Sequence, residues 1–398
     1  MKRPVLFVWI FGMAGISGAA PAITSVSGTV TDGQAVTIAG SGFGTKSTAA
    51  PTCYDDFESG SVKAYWGSNN GLIITSTPTQ RDSHSTYNRY HNFTGADSTS
   101  NHNAYLTGSD SVLANTWYVS YWFYLYPNFN WQNGAYPDPP KFLSNIKFFR
   151  LWNPGATVED FVTATQGWAN QSIYLCENTG DTTRYYLTNY PNVYFTTNTW
   201  HHVQFAYQEN STLGAADGKY QMWLDGVSVA SATNLITRLN DNLLKRPYNV
   251  GFYNSWSWNE GNTDASDVAP NEYVMDDVYV DTSFARVEIG DNSSYASCTH
   301  REVAVPSAWA DGSVTATVKQ GSFANGATAY VFVVDSSGNV SSGSPVTFTG
   351  AAPLVANPGF QGVSLKGVFI NYPYDIRCYN THCPTIPYPT CAECPPPP

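Results

Sequence analysis

Four side chains in the middle of the sequence are of types that grip a carboxylate or move a proton: Arg150, His202, Gln204 and Tyr253. Each lies in a stretch that alternates as a strand does. Strand side chains point to opposite faces in turn, so parity says which of them can share a face. In Trp200 to Gln208, Val203, Phe205 and Tyr207 form an apolar row, which turns His202, Gln204, Ala206 and Gln208 the other way. In Asn145 to Trp152, Lys147 and Arg150 have opposite parity, so unless a bulge intervenes only one of them reaches a common groove. Arg150 is the better clamp for a carboxylate because its guanidinium fork engages both oxygens. A third strand, Tyr248 to Asn254, carries Asn249, Tyr253 and Asn254 and leads into an aromatic loop with Trp256 and Trp258, which suits a groove rim.

The same parity argument divides Tyr118 to Tyr126. Val119, Tyr121, Phe123 and Leu125 form one row, and Tyr118, Ser120, Trp122, Tyr124 and Tyr126 the other. With the first row in the core, the second is an aromatic ribbon on an outer face, and aromatic rings stack on the apolar faces of sugar rings. Cover by loops or by the C-terminal tail is the alternative, since large aromatics seldom stay exposed without a reason. Two carboxylate pairs, Asp55-Asp56 and Asp276-Asp277, fall on strands at the two ends of the central region. Calcium can bridge carboxylates so placed, as a structural ion; the alternative is that they face solvent at strand ends. No cofactor is required. His84, His91 and His102 lie in a Ser/Asn/Thr-rich region without metal-ligand spacing.

The elements that must position these residues are strands. Aromatic residues make up 15% and charged residues only 12%, with 32 glycines and no long helical period, so the fold class is all-β. The first strands, closed by Gly40-Ser-Gly-Phe-Gly44, read "G..VTI.GSGFG", which resembles the opening of TIG-type immunoglobulin-like domains. The pattern breaks off after Lys46 and resumes at Arg286-Val-Glu-Ile-Gly290. We therefore expect one immunoglobulin-like domain split into residues 23–52 and 283–350, with a large domain, residues 53–282, inserted at an exposed loop. Two separate flanking modules are the alternative. Within the insert, Trp200-His-His-Val with Trp223-Leu-Asp-Gly226, and the closing Asp276-Asp-Val-Tyr-Val280, resemble the hairpin and last strand of laminin-G-like and concanavalin A-like domains. That resemblance implies a jelly-roll β-sandwich, a fold that hosts lectins, glucanases, polysaccharide lyases and adhesion modules.

The order Arg, then His/Gln, then Tyr further resembles jelly-roll alginate lyases. What that resemblance implies is elimination across a uronic acid, which needs a group to neutralise the carboxylate, a base for the carbon acid and an acid for the leaving oxygen. Arg150 and Gln204 would neutralise, His202 or Tyr253 would be the base, and Tyr253 the acid. Trp122, Tyr124, Tyr126, Lys147, Asn249, Asn254, Trp256 and Trp258 would bind substrate. The family's "Y-F-K-A-G-x-Y-N-Q" strand is matched only by Gly251-Phe-Tyr253-Asn254, with Asn249 where its lysine falls, and its "Q-x-H" strand is reversed as His202-Val-Gln204. Hydrolysis is disfavoured: the sandwich glucanases carry an E-x-D-x-E strand, absent here, and retaining hydrolysis needs two carboxyl groups about 5 Å apart.

Residues 1–22 read as a secretory signal peptide: Lys2 and Arg3, an apolar run from Val5 to Ile16, and a small-residue end at Ala20-Pro-Ala22. A soluble product outside the cytoplasm, in the periplasm or at the cell surface, is expected, with no membrane span in the mature chain. The net charge of −11 and the absence of a Lys/Arg cluster exclude nucleic acid as a partner. Residues 351–398 form a Cys/Pro-rich tail with Cys378, Cys383, Cys391 and Cys394, able to contact the cell envelope. Cys53 and Cys298 flank the insert and could form a disulfide, the tail cysteines two more, leaving Cys176 free. The reading is a secreted protein that binds, and cleaves by β-elimination if it is an enzyme, a polysaccharide that can contain uronate. A non-catalytic surface adhesion or structural protein is the alternative.

Overall fold

The computed structural model describes residues 20–69, 72–76, 81, 85–89, 103–127, 145–155, 159–166, 172–179, 184–187, 195–239, 243–255 and 272–349. Residues 1–19 of the leader, the loop carrying Trp256 and Trp258, His84, His91, His102 and the tail cysteines lie outside them. Among the described residues no helix is long and apolar enough to cross a membrane.

The chain opens with strands β1 (Ala22–Ser27) and β2 (Ala35–Ser41). Next come β3 (Cys53–Asp55), β4 (Trp66–Ser68), β5 (Ile73–Thr75), β6 (Ser85–Arg89), β7 (Asn103–Gly108) and β8 (Thr116–Leu125). They are followed by β9 (Asn145–Trp152), β10 (Glu159–Gln166), β11 (Ser172–Thr179), β12 (Arg184–Leu187) and β13 (Trp200–Gln208). Then come β14 (Gly218–Leu224), β15 (Val227–Leu235), β16 (Arg246–Ser255) and β17 (Glu272–Asp281). The last five are β18 (Arg286–Gly290), β19 (Arg301–Ala310), β20 (Ser313–Thr317), β21 (Thr328–Val334) and β22 (Ser344–Thr347).

The molecule is all-β, and its central part is a jelly-roll sandwich of two antiparallel sheets. An eight-stranded sheet runs β15-β14-β13-β8-β17-β6-β5, with β3 also pairing β17, and a seven-stranded sheet runs β12-β11-β10-β9-β16-β7-β4. Alternation sets what lies between them. Trp117, Val119, Tyr121, Phe123 and Leu125 of β8 and Val203, Phe205 and Tyr207 of β13 meet Leu106, Phe149, Leu151 and Val250 from the facing sheet in one apolar core. Phe149 and Phe205 stack across it with ring centroids 4.5 Å apart. Side chains of opposite parity therefore stand on the outer faces, and each outer face has its own environment.

The first two and last five strands form another sheet, ordered β1-β2-β20-β19-β18-β21-β22. β19 bends through it: residues 301–304 pair with β18, and residues 305–310, past a register shift at Pro306/Ala308, pair with β20. β1 lies against β21 and β22, so the sheet nearly closes around its own core of Val36, Ile38, Phe43, Ile289, Val314, Val331 and Val333. Residues far apart in sequence thus share one small sandwich, with β2 paired directly to β20. This unit sits on the outer face of the eight-stranded sheet, where Tyr54, Tyr118 and Tyr279 pack with Phe284 and Val303.

Candidate functional site

The outer face of the eight-stranded sheet carries His202, Gln204 and the aromatic ribbon, and it is closed. Trp122 is 1% and Tyr118 0% exposed, and the indole Nε1 of Trp122 donates to Glu302 of the small sandwich at 3.1 Å. His202 lies flat on Trp122, ring centroids 4.7 Å apart and planes 11° apart. Gln204 donates to the Tyr118 hydroxyl at 2.6 Å and to Glu288 at 3.2 Å, and accepts from Arg301 at 2.6 Å. Glu288 also takes Arg286 and, at 2.9 Å, Arg301; Arg81 joins Glu302 at 2.7 Å and Asp277 at 2.9 Å. Buried ions on this scale persist only when each desolvated charge meets a partner. His202, Gln204 and Trp122, expected to line a ligand groove, are enclosed instead: His202 stacks on Trp122, Gln204 meets Glu288 and Arg301, and Trp122 meets Glu302 of the small sandwich. Tyr124 and Tyr126 continue the row and pack with Trp200, Val274 and Trp122 itself, and the Tyr124 hydroxyl donates to Asn198 at 2.7 Å.

Adjacent histidines meet opposite fates here. His201 points into the core side, where Asp225 faces its Nδ1 at 2.7 Å and the Thr196 carbonyl its Nε2 at 3.0 Å. Two acceptors facing two ring nitrogens suit the imidazolium. Burial opposes that charge, yet Asp225 and the Thr196 carbonyl hold the ring above its ordinary value. His202 has no hydrogen-bond partner for Nδ1, and burial pushes it down to about 3. It is neutral at neutral pH. The conspicuous His-His pair therefore serves the hairpin and the joint. Asp225 and Gly226, at φ 47° and 78°, make the tight turn that closes β14 on β15.

The outer face of the seven-stranded sheet is different. Phe149 and Leu151 enter the core, so Arg150 and Trp152 face away from it. The Arg150 guanidinium carbon lies 4.8 Å from the Trp152 ring and 5.2 Å from the Tyr248 ring, and all three side chains are half-buried. Trp152 meets Tyr248 edge-on at 4.7 Å, and Tyr105 adjoins Tyr248 at 6.0 Å. Arg246, paired to exposed Asp110, lies 5.3 Å from the Tyr248 ring. A bulge does the positioning: Pro247 pairs with Leu151 and Asn249 with Arg150, which leaves Tyr248 as the extra residue opposite the arginine. This cluster joins an anion clamp to an aromatic platform.

Of the expected site residues, the structure brings Arg150, Asn249, Tyr253 and Lys147 onto neighbouring strands and leaves His202 and Gln204 on the other sheet. Tyr253 pairs with Lys147 along the backbone, past a second register shift at Val250/Tyr253; the side chains of Lys147, Tyr253 and Asn254 lie outside the described ones. β9 itself shifts register against β10 between Thr163 and Ala164, so a bulge does intervene between Arg150 and Lys147. Asn249 is fully buried and its amide donates to the Gly251 carbonyl at 2.6 Å, bracing the bulge. Trp152, Tyr248, Tyr105 and Arg246 had not been assigned. The i, i+2 spacing of Arg150 and Trp152 was the available signal; Tyr248 depends on a bulge that no residue type announces.

The four aspartates, expected as calcium ligands, are each engaged by protein partners. Asp55 accepts from the backbone of Phe57 and Lys63 and from Trp66 Nε1, Asp56 pairs with Lys319 at 3.0 Å, Asp276 takes Ser85, and Asp277 takes Arg81 and Tyr54. Among the described residues no group of three or more His, Cys, Asp or Glu could hold a metal ion. Cys53 and Cys298 are both buried free thiols, not a disulfide: Cys53 belongs to the large core and Cys298 adjoins Gly290 in the small unit.

No family model and no curated protein sequence matches the chain. Among solved structures it is similar to an endo-β-1,4-glucuronan lyase from the fungus Trichoderma reesei, at 17% identity and a TM-score of 0.45 over 59% of this chain and 97% of that one. It is also similar to a marine alginate lyase from Aplysia kurodai, at 14% identity and a TM-score of 0.35 over 54% and 87%. A β-glucanase catalytic domain from Podospora anserina gives 13% identity and a TM-score of 0.29 over 53% and 78%. These likenesses concern the arrangement of strands.

Proposed function

We propose that the protein binds an acidic, uronate-containing polysaccharide on the outer face of the seven-stranded sheet. The observation that carries this reading is Arg150 set between the Trp152 and Tyr248 rings on a face the small sandwich does not occupy. A guanidinium engages both oxygens of a carboxylate, and the adjoining rings offer apolar surface to the sugar. An overall charge of −11 is compatible with an anionic sugar as ligand, since a few arginines in a cleft set the local field.

β-Elimination is the reaction the same strands would support. Arg150 would draw charge from the carboxylate so that the adjacent carbon can lose its proton, and Tyr253, paired along the backbone with Lys147, is the acid and base left to the proposal once His202 is placed in the joint. The reading includes export on the leader pattern of residues 1–22, an immunoglobulin-like character for the small sandwich, and a tail that contacts the envelope. The test is incubation with alginate, polyglucuronate and pectate while following the ultraviolet absorbance of the unsaturated product. Product formed by the wild type and lost in Tyr253→Phe supports a lyase; binding without product supports a lectin-like module; neither returns the adhesive reading to the front.

A further inference from the structure

Three guanidiniums and three carboxylates meet between the two units: Arg81, Arg286 and Arg301 against Asp277, Glu288 and Glu302. Each carboxylate is reached from more than one element. Glu302 on β19 is faced by Arg81, His300 and the Trp122 indole, and Glu288 on β18 by Arg286, Arg301, Gln204, Tyr118 and Tyr295. Asp277 is faced by Arg81 and by Tyr54. His202 sits among them, on Trp122 and near Glu302, Glu288, Arg301 and Arg81. Among the described residues the apolar side chains of the joint, Tyr54, Tyr118, Tyr279, Phe284 and Val303 with Trp122 beside them, are fewer than those in the core of either sandwich. The chain crosses between the units twice, before β3 and after β17, and a Lys46–Asp281 pair at 2.6 Å ties the two crossings together.

We infer that this joint is an acid-released latch: the small sandwich is docked on the eight-stranded sheet at neutral pH and swings free about the paired crossings on acidification, with both cores intact. Charge balance holds it shut. Below neutrality His202, which has no partner for a second ring proton, would become another cation in the same closed space, and in stronger acid the released carboxylates take up protons while the guanidiniums keep their charge. The direction follows from linkage. Burial pushes His202 down to about 3 when docked, so the released state, at its ordinary 6.5, binds the proton first and the latch weakens as pH falls below 6.5. Burial alone would raise Glu288 and Glu302, but Arg286 with Arg301, and Arg81 with His300, hold each at about 2 against 4.5, so further docking energy goes as pH falls below 4.5.

Small-angle X-ray scattering reads separation of the two units and far-UV circular dichroism reads the strands, both on the full chain from neutral to about pH 4. The expected result is a reversible increase in radius of gyration with the dichroism unchanged. His202→Gln should flatten the pH dependence by about one proton, close to a tenfold change in the docked ratio per pH unit. Glu302→Gln should undock the units already at neutral pH. Dimensions that stay constant to about pH 4, dimensions and dichroism that change in a single step, or a His202→Gln profile identical to wild type would each overturn the latch.

Discussion

Arg150 on one sheet of the large sandwich and His201 and His202 on the other are basic side chains, and their surroundings give them three different tasks. Arg150 is half-buried beside two rings, His201 is clamped between two acceptors, and His202 is stacked on an indole without a partner for Nδ1. Sequence parity correctly put His202 and Gln204 on one face of β13. It had no means of showing that this face is roofed by residues about a hundred positions further on, such as Arg301 and Glu302. A second residue shows the same closeness of fit. A Cβ on Gly226 would fall 2.1 Å from the Cys298 carbonyl oxygen, and its φ of 78° already disfavours a side chain. Gly226→Ala is therefore expected to destabilise the protein by at least about 1–2 kcal/mol, the cost of the backbone conformation alone, measured by denaturant unfolding. Arg150→Lys should weaken binding of an acidic polysaccharide even though it keeps the charge, because the two-pronged contact and ring stacking are lost; titration calorimetry checks this.

At the scale of elements, the hairpin of β13 and β14 was legible because its parts are local. The Trp200-His-His-Val run and the Asp225-Gly226 turn lie on strands that pair directly, and Asp225 accepts from both His201 Nδ1 and the His202 backbone. His201→Gln removes a charge-assisted bond and should cost about 1.5–3 kcal/mol. Its pH signature runs opposite to that of the joint. A raised histidine stabilises fully below its unfolded value of 6.5 and loses that contribution as pH rises through the folded value, so wild type and variant should differ most in mild acid and converge in alkali. Denaturation midpoints across pH read the difference. The β9–β16 pair was less legible. Its bulges at Pro247/Asn249 and Val250/Tyr253 shift the register, and a one-residue slip changes which side chains share a face. That is why Tyr248 was missed and Asn249 was assigned to substrate when its amide braces Gly251.

At the scale of the whole molecule, the sequence showed two blocks of strands around a third, and the structure shares one small core between residues near both ends of the described chain. What no local pattern could reveal is that the blocks meet through charge, with Arg81 spanning Asp277 of one and Glu302 of the other. Arg81→Ala leaves both carboxylates short of a partner and should cost about 3–5 kcal/mol in thermal or denaturant unfolding. With one sheet face occupied in this way, the account places ligand binding on the other, and the measurement that tests it most directly is calorimetric titration of uronate oligosaccharides into the wild type and Arg150→Ala, with a neutral glucan as control. The account predicts binding of the acidic oligosaccharide only, weakened about tenfold to a hundredfold by the substitution, the value of a charge-assisted contact. Equal affinity in the two proteins, or no binding by either, would contradict it.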